Sequence, residues 1–190
     1  IEMDFAYKLS NKLSFEGLVS LGNWKWTSSD TVRFYDDDNN PVIDESGNEI
    51  IVTFDAEGVH VGDAAQTQYG ISFRYEPTSN SYFKIRGTYF DNYYSDFDPL
   101  SLNGENAGRE SWKIPAYQLI DLHAGYKISI TPKNKLDIKF SVLNLLNEIY
   151  ISDAQNNDPY NANYQDFDAK SAGVFFGLGR RFNVSAKINF

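Results

Sequence analysis

Apolar and polar residues alternate along almost the whole chain, and this period of two constrains the fold more than any other feature. In the final segment "GRRFNVSAKINF", Phe182, Val184, Ala186, Ile188 and Phe190 are apolar, while the residues between them are polar or charged. Successive side chains of a β-strand point to opposite faces, so this segment predicts a strand with one apolar face. The same alternation, with little helical periodicity, recurs in segments 2–8, 12–22, 68–76, 83–89, 121–130 and 136–142.

The lengths of the strands and of their connections indicate which solvent the apolar faces meet. The segments run for about ten residues, close to the length of a tilted membrane strand and longer than most strands of globular sheets. Short connections ("LSNK", "PTSN", "TPKN") alternate with long ones at residues 27–65, 96–115 and 151–171. Outer-membrane barrels sort short periplasmic turns from long extracellular loops in this way. We therefore expect the apolar rows to face lipid and the polar rows to face a lumen.

Composition excludes several classes of protein. The chain has 190 residues, no cysteine and a formal net charge of -9. Binding to nucleic acid is not expected, because phosphate neutralisation needs clustered Lys and Arg. The lack of cysteine excludes a disulfide framework and a thiolate zinc site. No apolar run approaches the roughly 20 residues of a membrane-spanning helix. One all-β domain is the prediction at this length.

The segment "KNKLDIKFSVLNLLNEIYISDA" resembles the penultimate-strand signature of TonB-dependent outer-membrane receptors, V-x-N-L-F-D-x-x-Y. "YQLIDLHAGYKI" is similar to the strand before it, and "GRRFNVSAKINF" to the terminal strand. Leu146 stands where the family usually has Phe, and Ser185 replaces a Gly that is frequent in the terminal strand. The loops, rich in Asp, Asn and Tyr, are similar to those of Bacteroidetes receptors. The matching positions of the signature are Val142, Asn144, Leu145, Leu146, Asn147 and Tyr150.

The resemblance implies an antiparallel transmembrane β-barrel of about 22 strands, closed by an N-terminal plug domain. About seven spans occur in this chain, and an odd number does not close a bacterial barrel. We therefore expect residues 1–190 to be the C-terminal part of a larger barrel. Outer-membrane lipid, the rest of the barrel and its plug would be direct partners. The inner-membrane TonB complex would act through an N-terminal part that this chain does not include, and a surface lipoprotein is a further candidate partner.

The function that the resemblance implies is energy-coupled uptake of a bulky nutrient across the outer membrane of a Gram-negative bacterium. The nutrient classes are a metal chelate, cobalamin or a glycan, and no cofactor is expected. The resemblance also implies that the barrel-assembly machinery recognises the terminal strand, through Phe182, Val184, Ala186, Ile188 and Phe190. Addition of that strand to an exposed sheet edge is the expected mode of recognition.

No sequence pattern predicts catalysis or a metal site. An EF-hand starting at Asp36 would need Gly at its sixth position and Glu at its twelfth, where Pro41 and Gly47 stand. The two histidines, His60 and His123, lie far apart without a supporting ligand pattern. No glycine-rich phosphate loop or nucleophile motif is present. We expect a chain that is not an enzyme.

Ligand contacts are expected in the long connections, where aromatic and amide side chains mix. Tyr160, Tyr164 and Phe167 lie among Asn and Asp residues, a combination that suits stacking of a sugar or a chelate. Trp112 in "RESWKIP" is a further candidate. The alternative interpretation is that these side chains only cover the mouth of the barrel.

Two other architectures remain open from the residues alone. A small, passive structural or adhesion barrel of about eight strands would have no plug, and would need one more membrane-length strand within residues 27–65, where "EIIVTFDAEGVHV" is the candidate. A soluble β-sandwich would need the rows containing Tyr69 and Phe83 to pack against a second sheet.

Overall fold

The computed structural model describes residues 1–156 and 168–189. Two short 3₁₀ helices, Pro99–Ser101 and Gly104–Asn106, lie between strands. Among the described residues, no helix has the length and apolar character needed to span a membrane. The described strands are β1 (Glu2–Lys8), β2 (Leu13–Leu21), β3 (Ser29–Arg33), β4 (Ile51–Asp55), β5 (Thr67–Thr78), β6 (Ser81–Asp91), β7 (Tyr93–Tyr94), β8 (Asp96–Phe97), β9 (Lys113–Ile114), β10 (Tyr117–Ser129), β11 (Lys135–Leu143), β12 (Ile151–Asn156), β13 (Gly173–Phe176) and β14 (Arg181–Asn189).

Seven of these strands form one sheet in the order β1-β2-β5-β6-β10-β11-β14. Every neighbouring pair in this sheet is antiparallel. The predicted all-β, antiparallel architecture is therefore confirmed. Within the described residues the sheet is open, with β1 and β14 at its two edges. Closure into a barrel by further strands stays a prediction.

The connections between the seven strands separate by length to the two ends of the sheet. At one end, which we call the turn end, the chain reverses through residues 9–12, 79–80 and 130–134. At the other, the loop end, it runs through residues 22–66, 92–116 and 144–180. These long connections start earlier than the sequence predicts. After β2, the buried side chain of Gln66 accepts a hydrogen bond from Trp24 N through Oε1 and donates one to the Trp24 carbonyl through Nε2. These two bonds hold Trp24 outside the sheet.

The pairing register places all the apolar rows on one face of the sheet, the apolar face. One row of directly paired residues crosses all seven strands and contains only aromatic and aliphatic side chains: Tyr7, Phe15, Phe73, Ile85, Leu122, Val142 and Phe182. The neighbouring row points to the opposite, polar face. It consists of Lys8, Ser14, Arg74, Lys84, His123, Ser141 and Asn183.

On most strands the apolar face is the exposed one, the reverse of a water-soluble sheet, and Val142 near the loop end of β11 is the exception at 5%. On β5 the apolar-face residues Tyr69, Ile71, Phe73 and Tyr75 are 43–48% exposed, whereas Ser72 on the polar face is 4% exposed. Polar-face side chains bond one another instead. Glu16, for example, accepts from Lys84 Nζ at 2.6 Å and from Ser72 Oγ at 3.0 Å. No described part of the chain covers the apolar face as the second layer of a sandwich would.

The buried apolar clusters lie in the long connections at the loop end. Ala56, Val59, Phe97 and Leu102 form one cluster, which Phe54 borders. The other is formed by Tyr93, Ile114 and Ala154, with Trp112, Tyr117, Ile151 and Val174 packed against it. The loop end therefore has its own cores, separate from the apolar face of the sheet.

We expect Gly125→Ala to destabilise the fold, because a Cβ at this position overlaps the ring of Tyr82 on the paired strand. The ring would have to leave the Arg74 guanidinium, which lies 3.9 Å from its centroid. Overpacking of this kind costs about 1–3 kcal/mol. Thermal unfolding followed by circular dichroism measures the effect.

Gly87→Ala is the matched control in the same sheet, because its Cβ enters open space. It should leave the unfolding midpoint unchanged or slightly higher. Equal midpoints for the two variants would contradict the role assigned to the Tyr82 ring.

Candidate functional site

The predicted assembly signal lies on the edge strand β14. Phe182, Val184, Ala186 and Ile188 share the apolar face, and β14 pairs only with β11 among the described strands. All four are exposed, and Phe182, Val184 and Ile188 are 65%, 73% and 49% exposed. Phe190 lies outside the described residues. The edge thus presents an unpaired backbone together with an apolar row, which are the two features that strand addition uses.

The family-like segment after β11 is built around the buried Asn144. Its φ of 52° lies in the left-handed region, which Asn tolerates better than most residues. Its Nδ2 donates to the carbonyls of Glu148 and Leu178 at 2.9 and 3.2 Å, and its Oδ1 accepts from Glu148 N at 2.8 Å. Its own N–H donates to Asp121 Oδ1 at 2.9 Å. The side chain of Asn144 therefore joins the turn after β11 to the segment leading into β14, and its backbone N–H adds a bond to β10.

Two further residues of the same segment hold it against the terminal strand. Asn147, with φ 55°, accepts from Arg180 N through Oδ1 at 2.9 Å. Tyr150 accepts from Gly177 N through its carbonyl at 2.8 Å, and its ring occupies the space that a Cβ on Gly177 would need. The Asn-Leu-Leu-Asn element thus has a structural role, which is to fix the entry to the edge strand.

Of the predicted ligand contacts, only Trp112 lies in the described part of the chain. It is half-buried and packs against the loop cluster formed by Tyr93, Ile114 and Ala154. Its backbone carbonyl accepts from Ser95 N at 2.9 Å. Trp112 therefore supports the loop end from inside. Tyr160, Tyr164 and Phe167 lie outside the described residues.

A cleft of about 240 Å³ opens where the polar face meets the loop end. Phe90 and Tyr117 form one wall and are directly paired across β6 and β10. Their rings stack at 4.8 Å, and Tyr117 stacks in turn on Tyr150 at 4.5 Å. We call these three rings the aromatic ladder. The remaining walls include Asp63, Gln68, Tyr93 and Ser152.

Phe90 and Tyr117 are not among the residues that the sequence predicts for the site. Both stand at positions of their strands that carry mostly polar side chains, such as Lys84, Thr88 and His123. An aromatic residue that breaks the alternation is the signal that marks them. Their adjacency requires the pairing of β6 with β10, which period alone does not specify.

The electrostatic environment of the cleft is anionic. Burial, together with the carboxylates of Asp96 and Asp153, raises the pKa of Asp63. Burial and the nearby Asp153 carboxylate raise the pKa of Tyr93 to about 12, and its hydroxyl donates to Ser152 O at 2.8 Å. Burial is the larger cause of both shifts, and the neighbouring carboxylates add to it.

The side chains of Asp36, in the acidic loop tip, and of both histidines bond other groups of the protein. Asp36 Oδ1 accepts from Asp38 N and Asn40 N, and these bonds lower its pKa. His60 contacts Glu110 Oε2 through Nδ1 at 2.6 Å and stacks on Tyr94 at 4.1 Å, which joins two long connections. His123 contacts Ser141 Oγ at 2.9 Å on the polar face. Within residues 1–156 and 168–189, no three metal-ligating side chains converge.

No protein-family model matches this sequence, and no curated protein does. The resemblance to TonB-dependent receptors therefore stays an expectation from the signature residues.

We expect Asn144→Ala to lower the free energy of unfolding by roughly 2–4 kcal/mol, since it removes three buried hydrogen bonds and places Ala in the left-handed region. Asn144→Gly relieves the backbone and keeps only the loss of the side-chain bonds, so its effect should be smaller. Denaturant unfolding measures both.

Asn39→Ala is the matched control, because Asn39 also has a left-handed φ, of 63°, but is exposed at a loop tip. Its cost should be about 1 kcal/mol. A loss for Asn144→Ala no larger than that for Asn39→Ala would show that the buried bonds do not hold the segment.

Proposed function

We propose that this chain is the C-terminal part of the barrel of a TonB-dependent outer-membrane receptor that imports a bulky nutrient. The observation that carries the proposal is the reversed exposure of the sheet, with apolar rows open to the surroundings and polar rows turned to the other side. Contiguous apolar surface of this extent on a protein in water marks an interface with lipid or with another protein. A row of seven apolar residues crossing seven strands fits hydrocarbon tails, because it runs around the sheet as a band.

The connections support the same orientation. Short reversals gather at the turn end and long, folded connections at the loop end, as in barrels whose turns face the periplasm. The long connections, residues 22–66, 92–116 and 144–180, contain 19 acidic and 6 basic residues. The rest of the chain contains 7 acidic and 11 basic residues. We therefore propose that the acidic loop end faces outward and traps the ligand, and that the polar face lines the lumen around the plug.

In this proposal the chain contributes to transport without catalysing a reaction. The lumenal row from Lys8 to Asn183 guides the ligand, and force applied by the TonB complex through the plug opens the path. Outer-membrane lipid, the rest of the barrel and the assembly machinery are the direct partners. The nutrient would be a metal chelate, cobalamin or a glycan, and a surface lipoprotein could cover the loop end.

The position of β4 favours a large barrel over the small passive one. The candidate for an eighth membrane-length strand contains Ile51–Asp55, and this strand pairs with β3 in a separate two-stranded sheet. The sandwich is disfavoured by the exposure of Tyr69 and Phe83, at 45% and 54%. The open reading frame upstream of Ile1 tests the choice between barrels: a plug domain with a TonB box is expected, and its absence would favour the small barrel.

The membrane assignment predicts a contrast between two faces of β6. Ile85→Lys places a charge on the apolar face and should cost about 2–4 kcal/mol, which lowers the amount of assembled protein in the membrane fraction. Thr88→Lys, three residues along on the polar face, should assemble normally. Electrophoretic mobility is compared for heated and unheated samples, because a folded barrel shifts its mobility on heating.

The outcomes separate the proposal from a soluble protein. A chain that fractionates in buffer without detergent, and that accepts both lysines equally, would sink the membrane assignment.

A further inference from the structure

The aromatic ladder ends beside the cleft. Its rings are spaced by 4.5 and 4.8 Å, close to the distance between paired strands. Phe90 and Tyr117 occupy the neighbouring strands β6 and β10, and Tyr150 lies in the connection just before β12. On the other side of Phe90, the directly paired residue is Gln68 of β5, which carries no ring. Phe90 is therefore the last ring of the ladder, and both Phe90 and Gln68 line the cleft. A flat ligand ring beside Phe90 would extend the stack.

The side chains around this position favour a positively charged ligand over a negatively charged one. Among the described residues, no Lys or Arg forms an ion pair with Asp63, Asp96 or Asp153. Asp63 is the one carboxylate among the described lining residues. An anionic ligand would meet that carboxylate, whereas a cation gains from both the carboxylate and the negative face of an aromatic ring.

We propose that this cleft binds a planar aromatic cation, with its ring stacked on the end of the ladder at Phe90 and its positive charge beside Asp63. The volume of about 240 Å³ is smaller than that of pockets for drug-sized ligands, so the bound part is one ring system of a larger molecule or a small ligand by itself. Gln68 supplies an amide for the polar edge of that ring. The inference rests on the proposed function only in that the cleft then faces incoming ligand at the loop end.

Calorimetric titration of the intact protein in detergent micelles tests the proposal. The probes are 1-methylquinolinium as the planar cation, quinoline as its neutral counterpart at pH 7.5, and 2-naphthoate as an anion. The cation should bind roughly tenfold or more tightly than quinoline, and 2-naphthoate should not bind measurably. Equal binding of the cation and the neutral ring, or binding of 2-naphthoate as tight as that of the cation, would overturn the assignment of ligand class.

Two substitutions test whether the cation binds in the cleft. Phe90→Leu removes the terminal ring, and Asp63→Asn removes the charge while keeping a residue that tolerates the left-handed φ of 65°. Each should weaken binding of the cation roughly tenfold, and Asp63→Asn should leave binding of quinoline unchanged. Tyr89→Leu, on the opposite face of β6, and Asp38→Asn, at a distant loop tip, are the matched controls and should bind as the native protein does.

Gel mobility before and after heating distinguishes failure of the cleft proposal from failure of the barrel proposal. A variant or native protein that is folded and heat-modifiable but binds no cation overturns the cleft assignment and leaves the barrel standing. Should Phe90→Leu fail to fold, Asp63→Asn carries the test, because Asp63 lies in a connection outside the sheet. Unchanged cation binding in folded Asp63→Asn would overturn the proposal.

Discussion

The pairing register of the seven-stranded sheet is the constraint on which the rest of the structure depends. A shift of one residue between any two strands would move an apolar row onto the polar face. The observed register instead aligns Tyr7 with Phe182 through five intervening apolar residues, and Lys8 with Asn183 through polar ones. Each of these two rows therefore keeps its character from one edge of the sheet to the other, whereas Phe90 and Tyr117 interrupt the polar face near the loop end. A uniform apolar face needs an apolar environment, and that need supports the membrane proposal.

The same constraint explains where the buried clusters lie. Since most large apolar side chains of the sheet lie on its exposed face, few remain for an interior of its own. The long connections supply their own cores instead, around Leu102 and around Ile114, both fully buried. Those cores hold the loop end in place above the polar face, and the cleft forms at the junction. Connections that a sheet positions in this way are a common setting for ligand sites.

Much of the fold follows from period and length. The seven long strands, the antiparallel sheet and the two faces are predicted by alternation, because side chains in a strand have a strict period of two. The signature residues Asn144, Asn147 and Tyr150 also emerge from the sequence, although their work in joining β10, β11 and the terminal strand does not. The cleft could not be predicted in this way. Phe90 and Tyr117 are 27 positions apart in the chain, and they meet only through strand pairing.

The sequence by itself determined that the chain is all-β, which residues share a face, and which connections are long, because these properties are local and repeat at a fixed period. Only the tertiary structure decided that no second sheet covers the apolar face, that β4 pairs outside the main sheet, that Trp112 packs inward and that three aromatic rings stack beside the cleft that Asp63 lines. Each of these depends on contacts between segments distant in the chain, and the free energy of such contacts is set by register and packing that no local pattern encodes.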